Sequence, residues 1–126
     1  MSLRPPLGRV RDLGSAKDGV THWWAQRLTA LALVPLSVWF VTSVVAMAGA
    51  DYYAMRDWIG SPVVAGLLIL LIVATFHHAY LGLQVVIEDY VHHEAAKFAA
   101  IVLVKAGALV LGLTGVLSVL VLLFEG

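Results

Sequence analysis

The sequence predicts an all-α membrane protein, three transmembrane helices in an up-down-up bundle, and three observations carry that prediction. The 126 residues are 61% hydrophobic and only 13% charged, with a mean hydropathy of +0.92, which is far too apolar for a soluble domain of this size. Three long runs are almost free of charge: residues 28–50 and 59–87 contain no Asp, Glu, Lys or Arg, and residues 98–124 contain Lys105 alone. Each exceeds the ~20 residues that a helix needs to cross hydrocarbon. The segments between the runs are short, so consecutive spans must return antiparallel.

Residues 1–21 hold Arg4, Arg9, Arg11 and Lys17 against Asp12 and Asp18, with Pro5, Pro6 and several glycines. They read as an exposed, poorly regular tail ahead of a transmembrane domain over residues 22–126. Trp23 and Trp24 stand where an interfacial aromatic belt belongs, and Arg27 is the last charge before the uncharged run 28–50 of the first helix, which is expected over residues 22–49. Pro35 inside it calls for a kink or a local adjustment, which membrane helices tolerate. Ala46-Met-Ala48 has the small-x-small pattern of a signal-peptide cleavage site. The apolar run is longer than the ~7–15 residues of a signal h-region, and the basic stretch ahead of it is long, which favours a retained span.

Residues 51–60 read as a connection, an aromatic belt of Tyr52, Tyr53 and Trp58 around Asp51, Arg56 and Asp57. The second span follows Pro62 and covers residues 61–90. Val91-His-His-Glu94 leads through a short polar loop to the third span, residues 97–124. There Ala108-x-x-x-Gly112 has the spacing of a close helix crossing. Lys105 lies only two turns beyond Lys97, close enough for its long side chain to snorkel to the same interface. Arg4, Arg9, Arg11, Lys17, Arg27 and Lys97 lie at one set of span ends and Arg56 alone at the other. The positive-inside rule then puts the N-terminus and the His92-His93 loop in the cytoplasm.

Ionisable side chains inside a span are costly and are functional candidates by default. Within the second span lie His77 and His78. Eleven residues separate His78 from Asp89, a rotation of about 1100°, so both fall on one helix face roughly 16 Å apart along the axis. Gly82 and Val85 share that stripe, where a glycine one turn from the histidine clears space for a wide, flat group. His77 points about 100° away. An imidazole in such a place either bonds a neighbouring helix or donates an axial nitrogen to a haem iron. One histidine supplies one ligand, so a bis-histidine site takes its second from a partner chain. His92 and His93 are adjacent and no carboxylate beyond Glu94 completes a metal set, so they are loop residues.

Other chemistries lack their residues. With no cysteine, the chain offers no disulfide, thiolate ligand or thiol nucleophile. It has no phosphate-binding glycine loop, no paired carboxylates inside a span, and no basic stripe with interleaved aromatics for nucleic acid. What the residues describe is a binding subunit with no complete catalytic set of its own.

His78-Ala-Tyr-Leu-Gly82, then Gln84-Val-Val and Asp89-Tyr90-Val, together with Gly19-Val-Thr-His-Trp-Trp-Ala-Gln-Arg27 entering the first span, resemble the hydrophobic membrane anchor subunits of bacterial succinate dehydrogenase. The resemblance covers nearly the whole chain after the tail, including the number of spans and the place of the histidine late in the second. It implies a succinate:quinone oxidoreductase, respiratory complex II, of the bacterial inner membrane. There a flavoprotein oxidises succinate in the tricarboxylic acid cycle and an iron–sulfur subunit carries electrons. Two anchor chains then share a b-type haem and form a ubiquinone site. His78 matches the axial haem ligand, the other ligand coming from the cytochrome b subunit. Tyr90 matches the phenol that donates a hydrogen bond to a quinone carbonyl, Asp89 its neighbouring carboxylate, and Arg27 the arginine beside the haem propionates and quinone pocket. Some members place a propionate-binding histidine one position before His22, which makes His22 an offset equivalent. The elementary chemistry agrees: a quinone taking up two electrons and two protons needs donors close to water, and a forked guanidinium suits bidentate carboxylate binding. The alternatives are the anchor of a quinol:fumarate reductase, with reversed electron flow, and a haem-free structural or transport-associated bundle whose histidines serve packing.

Overall fold

The computed structural model describes residues 6–125, with side chains from Gly19 onward. Residues 6–21, expected as part of a poorly regular tail, are instead the first turns of a helix that runs on into the first span; residues 1–5, and the side-chain roles of Arg4, Arg9, Arg11, Asp12, Lys17 and Asp18, lie outside the described residues. Four helices follow one another: α1 Pro6–Ala46, α2 Tyr52–Ile59, α3 Pro62–Tyr90 and α4 Glu94–Glu125. Among the described residues there is no strand. The three segments long and apolar enough to span a membrane are Gly19–Ala46, Pro62–Tyr90 and Glu94–Glu125, which is the three-helix membrane bundle that the hydropathy requires.

Local chemistry fixes the ends. Helix α1 passes through Pro35 without a break and stops before Gly49, whose φ of +88° is a left-handed conformation that glycine adopts at no steric cost. Residues 51–60, read from sequence as a plain connection, instead hold the two-turn helix α2. Asp51 is its N-cap in extended conformation, and its Oδ1 accepts the Ala54 N–H at 2.8 Å, which satisfies one of the orphan amides of the first turn. Pro62 sits in the first turn of α3, where its missing N–H costs nothing. His93, expected as a loop residue, also caps α4: its Nδ1 accepts the Ala96 N–H at 3.3 Å.

Helix α3 is the middle of the molecule. It packs against α1 on one side and α4 on the other, and among the described residues α1 and α4 make no close backbone approach to each other. Packing is tightest at the α2 end, where Ala65, Leu68 and Val119 are buried beneath Trp39, Phe40 and Ile59. Trp39 stacks on Trp58, ring centroids 6.0 Å apart, and Arg56 pairs with Glu125 at 3.3 Å. Small residues of α4 face α3: a Cβ on Gly112, one of the expected Ala108/Gly112 pair, would lie 3.5 Å from Phe76, and one on Gly115 3.3 Å from Ile72.

Gly60 is tighter still. A Cβ there would stand 3.1 Å from the carbonyl oxygens of both Arg56 and Leu122. Both obstacles are backbone on different helices, so neither gives way cheaply. Gly60→Ala is expected to destabilise the α2–α4 junction by about 1–3 kcal/mol, the usual cost of overpacking, read as a lower melting temperature in detergent. An unchanged melting temperature would mean that this junction adjusts freely.

Candidate functional site

Away from the packed end, α1 and α3 open into a cleft of about 380 Å³. Gly19, His22, Trp23, Gln26, Arg27 and Ala30 line it from α1, and His78 and Val85 from α3. The α1 residues recur at three- and four-residue steps, so one face of an ideal helix presents them all. Antiparallel packing brings that face over the His78 stripe of α3.

His78 is half-buried, and its Nδ1 lies 3.1 Å from Thr29 Oγ1 across the seam. The Thr29 hydroxyl in turn lies 2.8 Å from the Ala25 carbonyl oxygen and 2.9 Å from that of Gln26. Arg27 holds its guanidinium 4.4 Å from the centroid of the Trp23 ring, a cation–π contact that keeps a permanent positive charge at the cleft mouth. Trp23 packs edge-on against Trp24.

Two polar atoms here are buried without a protein partner, His22 Nε2 and Gln26 Oε1. Most buried polar atoms in folded proteins are hydrogen-bonded, and an orphan calls for an explanation. Here both orphans belong to residues that line the cleft, next to a cation and an imidazole. A group carrying carboxylates would satisfy the His22 nitrogen and the Arg27 fork together. Among the described residues no three His, Asp or Glu side chains converge as a metal set.

The structure thus brings His78, His22 and Arg27, which are far apart in sequence, to one cleft. Asp89 and Tyr90 are exposed at the C-terminal end of α3, Tyr90 at 77%, and line neither this cleft nor the grooves beside it. His77 is on the other side of α3. It lines an apolar groove of about 570 Å³ against α4, shared with Tyr80 and Lys105, and a further groove beside Thr29 and Leu36 of α1. Lys105 holds its ammonium 5.9 Å from the Tyr80 ring centroid. At Gly82 the one group within 4 Å of an added Cβ is the flexible end of the Gln26 side chain, whose Nε2 would lie 3.6 Å away. Gln26 and Thr29 are the site residues that sequence reasoning passed over. Their signal was present, two polar side chains three residues apart at the head of an apolar run.

Over residues 1–123 the chain matches the family described as succinate dehydrogenase/fumarate reductase transmembrane subunit. It is 33% identical over 103 residues to the succinate dehydrogenase hydrophobic membrane anchor subunit of Rickettsia bellii, covering 82% of each chain. It is 31% identical over 125 residues to that of Rickettsia conorii, covering 98% of this chain and 97% of the relative. The corresponding subunit of Paracoccus denitrificans is 29% identical over 96 residues, 76% of this chain and 74% of the relative.

Proposed function

The chain belongs to the succinate dehydrogenase/fumarate reductase transmembrane subunit family, and from that premise we propose that it anchors a succinate dehydrogenase in the bacterial inner membrane, holds one side of a shared b-type haem and contributes to ubiquinone reduction. The observation that carries the haem reading is the convergence of His78, the unpartnered His22 Nε2 and Arg27 on one cleft. When bound, the haem would supply an iron centre that takes up and gives back one electron.

The roles of this chain's own groups follow from their chemistry. His78 offers a neutral imidazole nitrogen from the interior of a span. Arg27 and His22 offer N–H donors for propionates, and the Trp23 ring holds the guanidinium in place while the cleft is being filled. Among the described residues the cleft is bounded by two helices only, so its remaining walls, and the other ligand to the haem, would come from the cytochrome b subunit. Tyr90, at the end of α3, donates its phenolic proton in a hydrogen bond to a quinone carbonyl oxygen. Asp89 beside it holds a basic neighbour or relays protons from water. Both face outward in this chain, as groups that complete a site at a subunit boundary must.

Membrane orientation follows from charge: Arg27, near the start of the first span, and Lys97, in the first turn of α4, lie at the Tyr90 end of the bundle, and Arg56 stands at the other. That places the N-terminus and the quinone-proximal end in the cytoplasm, where the flavoprotein and iron–sulfur subunits dock. Relatives named for succinate dehydrogenase favour succinate oxidation over fumarate reduction.

The test is a reduced-minus-oxidised optical spectrum of the complex isolated in mild detergent through a tag on this chain. A b-type haem band together with succinate-dependent reduction of a ubiquinone analogue is the expected result. Intact flavoprotein and iron–sulfur subunits with no haem would leave a purely structural anchor and overturn the haem reading.

A further inference from the structure

We propose that Thr29 is a positioning residue for His78, fixing the proton on Nδ1 and leaving Nε2 as the nitrogen that faces the cleft. The inference rests on the haem-ligand reading of His78 and extends it to a residue with no contact to the iron.

The geometry decides which way each proton points. A threonine hydroxyl has one proton to donate and two lone pairs to accept with. Thr29 Oγ1 lies 2.8 Å from Ala25 O, one helical turn back, and 2.9 Å from Gln26 O, so two carbonyl oxygens compete for that single proton. Back-bonding of this kind is a common state of threonine in apolar helices. With the proton on one of those carbonyl oxygens, the 3.1 Å contact to His78 Nδ1 is one that the hydroxyl accepts, and this is the arrangement proposed. His78 Nδ1–H is then the donor, and Nε2 keeps its lone pair. The opposite tautomer would place the Nδ1 lone pair against an oxygen whose proton is already used.

Position supports the assignment. Thr29 lines the groove on the far side of the α1–α3 seam, while His78 lines the cleft that holds Arg27 and His22. The ring is therefore tethered through Nδ1 at the seam. Metal-bound histidines regularly donate their second N–H to a fixed acceptor, which sets tautomer and ring plane and raises ligand basicity. Here the acceptor is a neutral hydroxyl and not a carboxylate, so the imidazole gains little imidazolate character.

The experiment compares Thr29→Val, which keeps the shape and removes the hydroxyl, with Thr29→Ser, which keeps the hydroxyl, in the assembled complex, and His78→Ala runs beside them. Three quantities are read: the rate of haem transfer to apomyoglobin, the electron paramagnetic resonance g-values of the ferric haem, and its midpoint potential. Thr29→Val is expected to weaken haem retention roughly 10–100-fold, to shift the g-values as the ring plane loosens, and to raise the midpoint potential because the ligand becomes a poorer donor. Thr29→Ser should match the parent in all three. If Thr29→Val fails to assemble, Thr29→Ala removes the same hydroxyl without its bulk and must give the same pattern. Parent-like values in the hydroxyl-free variant, with haem lost in His78→Ala, would overturn the role of Thr29 alone. Haem retained with an unchanged spectrum in His78→Ala would instead overturn the ligand reading beneath it.

Discussion

His78→Ala is expected to remove nearly all haem from the assembled complex while leaving α1, α3 and α4 inserted. The reason is that the residue is half-buried and, among the described residues, its side-chain hydrogen bond is to Thr29 across a single seam. Losing a net hydrogen bond of about 0.5–1.5 kcal/mol does not unfold three spans whose burial centres on Ala65, Leu68 and Val119 at the far end. The loss of an axial ligand is a much larger effect on haem binding. Haem quantified per mole of this subunit, with membrane insertion checked by carbonate extraction, measures both parts. His77→Ala is the matched control. It lines the grooves against α4 and the back of α1, so haem content should stay at the parent level. Equal haem loss in both variants would mean that the helix face has been misassigned, and loss in neither would leave His78 a packing residue.

The second large effect concerns the quinone. Tyr90→Phe is expected to lower ubiquinone reduction by roughly tenfold, the equivalent of one hydrogen bond worth about 1.4 kcal/mol in the transition state. Succinate oxidation measured with an artificial acceptor upstream of the quinone should be unchanged. The substitution removes one oxygen from a side chain that is 77% exposed in this chain, so no core contact is lost and a folding defect is not expected. Equal rates for parent and variant in both assays would remove Tyr90 from the quinone site. A matching fall in both would point to assembly and not to hydrogen bonding. Asp89, also exposed, provides a graded comparison: Asp89→Asn keeps its shape and removes its charge. If it relays protons or holds a basic partner, its effect should depend on pH in a way that the effect of Tyr90→Phe does not.

Both variants probe groups that this chain leaves incomplete. Five residues are buried among those described, Ala65, Leu68, Ala74, Leu81 and Val119, and α1 and α4 do not close around α3. In water such a surface would be intolerable. In a membrane, lipid and partner helices cover it, and a cleft bounded by two helices is the natural half of a shared cofactor site.

Much of this was legible in the sequence because its causes are local. Run length and missing charges dictate three spans, since hydrocarbon leaves backbone amides no partner except the helix itself. The family resemblance also lies in contiguous motifs, His78 to Gly82 and His22 to Arg27. Even α2, taken for a plain connection, had a visible cause in Asp51, whose carboxylate caps it. Other features have no local cause. Helix periodicity alone gives the angle between His77 and His78 and does not say which neighbour either one meets. That is fixed by the rotation of α3 against α1, set by packing at Trp39, Leu68 and Ala65 well along the chain. The same rotation brings Thr29 to His78 across 49 residues, sets the end of Gln26 beside Gly82, and gathers His22, Arg27 and His78 around one cleft. The sequence by itself determined how often the chain crosses the membrane and which side chains carry chemistry. Only the tertiary structure decided which of them face one another, because the phase of one helix against another comes from interlocking side chains distant in sequence, and no periodicity within either helix records it.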